Sequence, residues 1–144
     1  YTMIHLFITI NTLIFLFLSL LHVYWAMGGK WAYEGVFPQN PTGEKPLTTQ
    51  PGIVATLIVA GGLFLFALVT LGNSGIFDQW LKIKYFHTGL WIITGIFLLR
   101  TVGDFKYVGF SKKIKGTLFA KKDTQIYSPL TLGISLVNLF ILYI

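Results

Sequence analysis

The residues best suited to chemistry in this chain stand at the ends of apolar segments. His22 closes the first segment, within "LLHVYWAMGGKW". An imidazole there can act as a general acid or base, or as a hydrogen-bonding group. Arg100 and Asp104 close the third segment and stand four residues apart, which predicts an ion pair on one helix face. We expect this pair to be mainly structural, because each charge neutralises the other and a terminal arginine can extend to the headgroups.

Metal and thiolate chemistry have no support in the sequence. The chain has no cysteine, which excludes disulfides and thiolate catalysis. Its three histidines show no Glu-x-x-His or His-x-x-x-His spacing, so we predict no metal site. His5 and His87 stand near the same end of their segments and could in principle ligate a haem. Interfacial hydrogen bonding is the favoured interpretation of both, and no cofactor is predicted.

The composition is typical of a membrane protein. Hydrophobic residues make up 54% of the 144 residues and charged residues only 11%, against about 25% charged in soluble domains. The net charge of +6 comes from lysines that stand between the apolar segments. Anionic lipid headgroups are therefore the predicted partner, and nucleic acid is not.

Four apolar segments are long enough to span a bilayer, at residues 3–27, 51–71, 85–102 and 129–144. None alternates with the period of two that a strand would show. We therefore predict an all-α fold, an integral membrane four-helix bundle that forms a single domain over residues 1–144. The first segment is too long for a signal peptide and lacks a basic n-region. Because position 1 is not Met and the last residue, Ile144, is still apolar, we expect the natural chain to extend beyond both ends.

Basic residues predict the orientation. The 28–50 and 103–128 loops lie on one side of a four-span bundle and carry eight lysines, against two in the 72–84 loop. The eight are Lys30, Lys45, Lys106, Lys112, Lys113, Lys115, Lys121 and Lys122. The positive-inside rule then places the two long loops in the cytoplasm and both termini outside, in an inner membrane. The lysines of the second loop alternate with apolar residues, so we expect this loop to lie on the anionic headgroups.

Small and polar residues repeat at helical spacing inside the segments. Membrane helices pack through such residues, because lipid is as apolar as their side chains. The predicted packing residues are Asn11, Ser19 and His22 on the first helix, Thr56, Ala60, Gly61 and Ala67 on the second, and Ser128, Thr131, Ser135 and Asn138 on the fourth.

Glycines, aromatic residues and ionisable groups converge at the end of the bundle that carries the long loops. Such convergence is typical of a ligand site between helices. We expect Gly28 and Gly29 to end the first helix. We also expect His22 to face the bundle interior and to hydrogen-bond near Asp104 or Tyr107. The candidate ligand-binding residues are His22, Trp25, Trp31, Arg100, Asp104, Tyr107 and Tyr127.

Three motifs carry a family resemblance. They are His-x-Tyr-Trp-Ala-x-Gly-Gly at 22–29, Gly-Asp-Phe-x-Tyr-Val-Gly-Phe at 103–110 and Asp-Thr-x-x-Tyr-Ser-Pro at 123–129. In this order they resemble a bacterial family of small four-span membrane proteins known as domain of unknown function 3995. The resemblance covers essentially the whole chain and implies a four-helix inner-membrane protein. It brings no established activity.

Three classes of function remain open. The favoured hypothesis is a non-enzymatic protein that binds a lipid or small apolar ligand, or that serves as a membrane subunit of a complex or a homo-oligomer. The alternative is a membrane-embedded enzyme that acts on a lipid-soluble substrate, with His22 and Asp104 as acid and base groups. A channel or transporter comes third, because the sequence shows neither a ring of charge nor a pair of interrupted helices.

Overall fold

The computed structural model describes residues 2–43 and 51–144, and every regular element within them is a helix. The helices are α1 (Thr2–Ala26), α2 (Ile53–Gly72), α3 (Ile83–Val102), the short α4 (Leu118–Lys122), a π-helical turn (Asp123–Tyr127) and α5 (Ser128–Tyr143). The last three run on without a break, so four helical segments are long and apolar enough to cross a membrane. The predicted all-α membrane bundle is confirmed. Lys45, one of the lysines used for the orientation, lies outside the described residues.

The four membrane helices form a closed ring of neighbours. α1 packs most extensively against α2 and α3 against α5, while contacts of α2 with α3 and of α1 with α5 complete the ring. One apolar cluster at mid-bundle contains Phe15, Leu63 and Ile134. A second cluster, around Ile8 and Leu90, closes the end that carries the termini. Most other large apolar side chains point outward, as expected for helices that lipid surrounds.

Polar contacts connect the helices at several depths. Asn11 on α1 donates a hydrogen bond from Nδ2 to Oδ1 of Asn138 on α5, at 2.8 Å. Ser19 on α1 donates to the backbone carbonyl of Ala60 on α2, at 2.7 Å. Thr101 and Thr131 share a hydrogen bond of 2.8 Å between α3 and α5. These contacts confirm the interhelical role of Asn11 and Ser19 on the first helix and of Thr131 and Asn138 on the last. The Ser135 hydroxyl bonds within its own helix.

The second helix departs in part from its predicted packing face. Ala60 and Ala67 are buried as expected. Gly61 is exposed, with open space where a Cβ would stand. The Thr56 hydroxyl donates to the carbonyl of Gly52, the residue directly before its own helix. On α2, only the residues that face α1 and the core therefore let neighbouring helices approach closely.

The fourth membrane helix begins eleven residues earlier than predicted, at Leu118 rather than Pro129. Proline lacks an N–H and its ring crowds the carbonyl four residues earlier, which normally ends a helix. Here the π-helical turn directly before Ser128 widens the helix, and the backbone N–H of Ser128 donates to the carbonyl of Asp123, five residues back. The helix thus continues through the proline, and this extension carries residues of the candidate site.

Candidate functional site at the loop end of the bundle

The segment after α3 is a compact loop built on two glycines. Gly103 and Gly109 both have positive φ, and a Cβ on either would overlap backbone atoms beside the other. Where the loop returns to the helix, the N–H of Phe110 donates to the carbonyl of Thr101, at 2.9 Å, and so caps the end of α3. This close approach fixes where the rest of the loop contacts the bundle.

Asp104 holds the tip of this loop. Its Oδ1 accepts hydrogen bonds from the backbone N–H groups of Lys106, Tyr107 and Val108, at 2.7–2.9 Å. Desolvation raises the pKa of the Asp104 carboxyl, but the backbone donors together outweigh it, and the net result is a lowered pKa. A lowered folded-state pKa means that the carboxylate supports the loop above its ordinary pKa of 3.8 and loses this effect as the pH falls further.

The predicted pairing of Arg100 with Asp104 is wrong. α3 ends at Val102, so Asp104 no longer lies on the helix face of Arg100. Nη2 of Arg100 instead contacts Oδ1 of Asp123, at 2.7 Å. The carboxylate that balances the arginine comes from the π-helical turn, 23 residues later in the chain.

Asp123 is the centre of a buried ionic cluster. Its side chain is 0% exposed, and its Oδ2 accepts from Nζ of Lys112, at 3.1 Å, and from the N–H of Gly109, at 2.8 Å. Lys112 is itself buried, with a side chain 2% exposed, and also donates to the carbonyl of Gly109. The expectation that the loop lysines all lie on the headgroups is therefore wrong for Lys112. We call Arg100, Lys112 and Asp123 the ionic cluster.

The end of α1 forms the side of the candidate site that lies opposite Arg100. α1 ends at Ala26 and Gly28 has φ of 94°, so the predicted helix stop is confirmed. The chain then folds back, and Nε1 of Trp25 donates to the carbonyl of Trp31, at 2.8 Å. The rings of His22, Trp25 and Tyr33 follow one another in edge-to-face contacts. This stack fixes the position of the imidazole.

His22 faces the bundle, but its hydrogen bond is not the predicted one. Nδ1 lies 2.7 Å from the carbonyl of Leu18 on the same helix. A carbonyl only accepts, so Nδ1 carries the hydrogen and Nε2 of a neutral ring keeps its lone pair. The expected hydrogen bond to the region of Asp104 or Tyr107 does not form. His22 instead presents its ring to a cavity.

A cavity of about 570 Å³ lies between the end of α1 and the side of the bundle that carries Arg100 and Tyr127. Residues from all four membrane helices and from the 31–36 segment line it. Five of the seven candidate ligand-binding residues are among them, namely His22, Trp25, Trp31, Arg100 and Tyr127. Asp104 and Tyr107 do not line it. Most of the remaining wall is apolar, from Phe17, Leu18, Leu21, Val36, Val59, Leu63, Phe97, Ile126 and Leu130.

Sequence reasoning missed Lys112, Lys122 and Asp123 as site residues. Lys122 lines the cavity and donates from Nζ to the carbonyl of Glu34, at 2.6 Å. Asp123 precedes Ser128 by five residues, which are not neighbours on an α-helix face. The π-helical turn brings both onto the buried face, where each is 0% exposed. The available signals were that Asp123 is an acidic residue six positions before the predicted apolar segment and that it opens the motif at 123–129.

Metal and haem chemistry gain no support from the geometry. Within residues 2–43 and 51–144, no group of three or more His, Asp or Glu side chains is placed to hold a metal ion. His5 and His87 are both exposed, and haem ligation through them stays an untested hypothesis.

One known protein family matches most of the chain. A profile of proteins of unknown function, DUF3995, matches residues 15–138. The chain belongs to the DUF3995 family. Every residue that lines the cavity and every member of the ionic cluster lies inside the region that DUF3995 covers. Searches of curated proteins and of solved structures found no match.

Proposed function

We propose that this DUF3995 protein binds a lipid or small apolar ligand in the cavity at the loop end of the bundle. The observation that carries the proposal is the cavity itself. Its volume of about 570 Å³ falls in the range of roughly 300–1,000 Å³ that holds small molecules, and its wall is largely apolar with a few polar groups. A site of this chemistry suits a ligand that partitions into membranes.

The depth of the cavity supports entry of the ligand from the bilayer. Phe17 lines it nine residues before the end of α1, which is about 14 Å along the helix axis. Phe17 is 54% exposed at a depth where lipid surrounds the protein, which supports an opening of the cavity toward the bilayer. A lipid-soluble molecule can therefore reach the site without crossing the aqueous phase.

The enzymatic alternative has less support. It requires His22 and Asp104 to act together, but Asp104 holds three backbone N–H groups in the 104–108 turn and does not line the cavity. A role as a membrane subunit, with a partner protein or a second copy of the chain, stays a prediction that is compatible with ligand binding.

Filling the cavity tests the proposed function. Leu130 lines it from α5, whereas Leu136 on the same helix is exposed on the lipid side. We expect Leu130→Trp to lower the copurified ligand several-fold because the indole occupies its volume, and Leu136→Trp to have no effect. Mass spectrometry of lipid extracts from protein purified in mild detergent measures the ligand. Equal ligand content in both variants and the parent would contradict the proposal.

We also propose that the protein resides in a bacterial inner membrane with the long loops in the cytoplasm and both termini outside. Of the residues described in the 28–50 and 103–128 loops, most lysines are exposed, which supports their contact with anionic headgroups. The absence of native cysteine makes thiol labelling a clean test.

Labelling sites can be chosen on each side of the bundle. Lys113 and Gln79 are exposed, while Asn73 is buried and bonded to the carbonyls of Val69 and Phe86, which makes it a poor site. We expect Gln79→Cys to react with an impermeant maleimide in spheroplasts, and Lys113→Cys only after lysis. The reverse pattern would place the loops outside.

A further inference from the structure

We infer that the ligand is an amphiphile whose oxyanion head pairs with Arg100 and whose apolar tail fills the rest of the cavity. This inference rests on the proposed function and names the ligand class. The shared chemistry is a phosphate or carboxylate group on a hydrocarbon chain.

The ionic cluster has a net positive charge. Arg100 and Lys112 share the single carboxylate of Asp123, which leaves one positive charge without a counterion among residues 2–43 and 51–144. Lys112 and Asp123 are buried, so the surplus charge falls on Arg100, whose side chain is 31% exposed and therefore only partly hydrated. A bound anion next to Arg100 would balance the cluster.

The guanidinium of Arg100 is incompletely bonded. Nη2 contacts Asp123, but Nη1 is buried with no hydrogen-bond partner among the described residues. The side chain as a whole is 31% exposed, so part of the guanidinium stays accessible although Nη1 is covered in this conformation. Arginine presents its donors as a planar fork that matches the oxygens of carboxylates and phosphates. Since Arg100 lines the cavity, a ligand oxygen at that wall can contact the accessible part of the guanidinium, and a small rotation of the side chain would bring Nη1 to the same oxygen.

The rest of the polar lining favours an anion over a cation. Lys122 adds a second positive charge, and its contact with the carbonyl of Glu34 does not neutralise it. The phenol of Tyr127 adds a potential donor. No acidic side chain is among the residues that line the cavity in the described part of the chain. The potential at the polar end is therefore positive.

The apolar wall defines the other half of the ligand. Leu63 and Phe97 lie with Leu130 on the side of the bundle core, and Phe17 lies toward lipid. A free inorganic anion would leave this surface uncovered. A hydrocarbon tail removes it from water or void, at about 25 cal/mol for each Å² of apolar surface covered.

Matched amphiphiles provide the test. Dodecyl phosphate and dodecanol have the same tail and differ in the oxyanion, and inorganic phosphate supplies the oxyanion alone. Trp25 and Trp31 line the cavity, so their fluorescence reports binding once Trp80 and Trp91 are replaced by Phe. We expect the full chain in neutral detergent to bind dodecyl phosphate at least tenfold more tightly than dodecanol.

Two substitutions of Arg100 link this preference to the guanidinium. Arg100→Gln removes the unbalanced charge and leaves Asp123 paired with Lys112, so we expect the preference to fall below threefold. Arg100→Lys keeps the charge, but its one nitrogen remains with Asp123, so the preference should fall to a value between those of the parent and Arg100→Gln. Lys115→Gln, at an exposed lysine that does not line the cavity, should leave the preference unchanged.

The outcomes separate this inference from the proposed function. Equal affinity of the parent for both amphiphiles, or an unchanged preference in the folded Arg100 variants, overturns the oxyanion inference and leaves ligand binding intact. Displacement of dodecyl phosphate by inorganic phosphate overturns the amphiphile assignment, because the site would then bind free anions. If Leu130→Trp binds both amphiphiles as tightly as the parent, the cavity is not their site and the proposed function fails.

Discussion

Replacement of Asp123 by alanine should lower the free energy of unfolding by about 3–5 kcal/mol, the cost of leaving a buried charge without its partner. Asp123 is 0% exposed and balances Arg100 and Lys112. Its loss leaves the Lys112 ammonium, 2% exposed, without a counterion. It also removes the acceptor of the Gly109 N–H, so the 103–117 loop should loosen with the ion pairs. Thermal or denaturant unfolding in mild detergent measures the change.

A matched control and a double substitution make the Asp123 result specific. Asp78 is an exposed aspartate in the opposite loop, and Asp78→Ala should change stability by no more than about 0.5 kcal/mol. Asp123→Asn combined with Lys112→Met should recover part of the loss, because it removes the buried cation together with the anion. An Asp123→Ala protein as stable as the Asp78→Ala control would show that the cluster does not hold the loop to the bundle.

Replacement of Gly103 by alanine should destabilise the loop end nearly as strongly. Gly103 has φ of 90° and ψ of −165°, a region that is strained by about 1–3 kcal/mol for any other residue. The new Cβ would also overlap the carbonyl oxygen of Val108, and backbone cannot move aside as a flexible side chain can. The two parts of the loop that meet at Gly103 and Gly109 would then separate, and Gly109 and Lys112 would move away from Asp123.

Gly116 provides the control for Gly103. It lies in the same loop, is exposed, and has open space where a Cβ would stand. We expect Gly116→Ala to keep the unfolding temperature of the parent and Gly103→Ala to lower it by several degrees, with a loss of cavity ligand as Arg100 loses its support. Similar unfolding temperatures for the two variants would mean that the loop tolerates a second arrangement.

The sequence by itself determined the class of the molecule and much of its internal packing. The apolar segments are long and almost free of charge, so the requirement that backbone groups in lipid bond within one segment leaves only helices. The helical spacing of Thr131 and Asn138 sufficed to place them on a buried face, because that spacing depends only on local geometry. The stop of α1 at two glycines is local in the same sense.

Only the tertiary structure decided which groups meet. A partner four residues away looked sufficient for Arg100, but α3 ended too early, and the carboxylate came from a helix extension that a π-helical turn allows past Pro129. Likewise, the sequence does not distinguish Lys112 from the exposed lysines beside it. In the structure, the close contact of Gly103 with Gly109 shapes the loop so that Lys112 is buried. Contacts between residues far apart in the chain depend on where loops return, which in turn depends on packing that no local pattern encodes. For that reason the sequence determined the bundle, and the tertiary structure decided the ionic cluster and the cavity beside it.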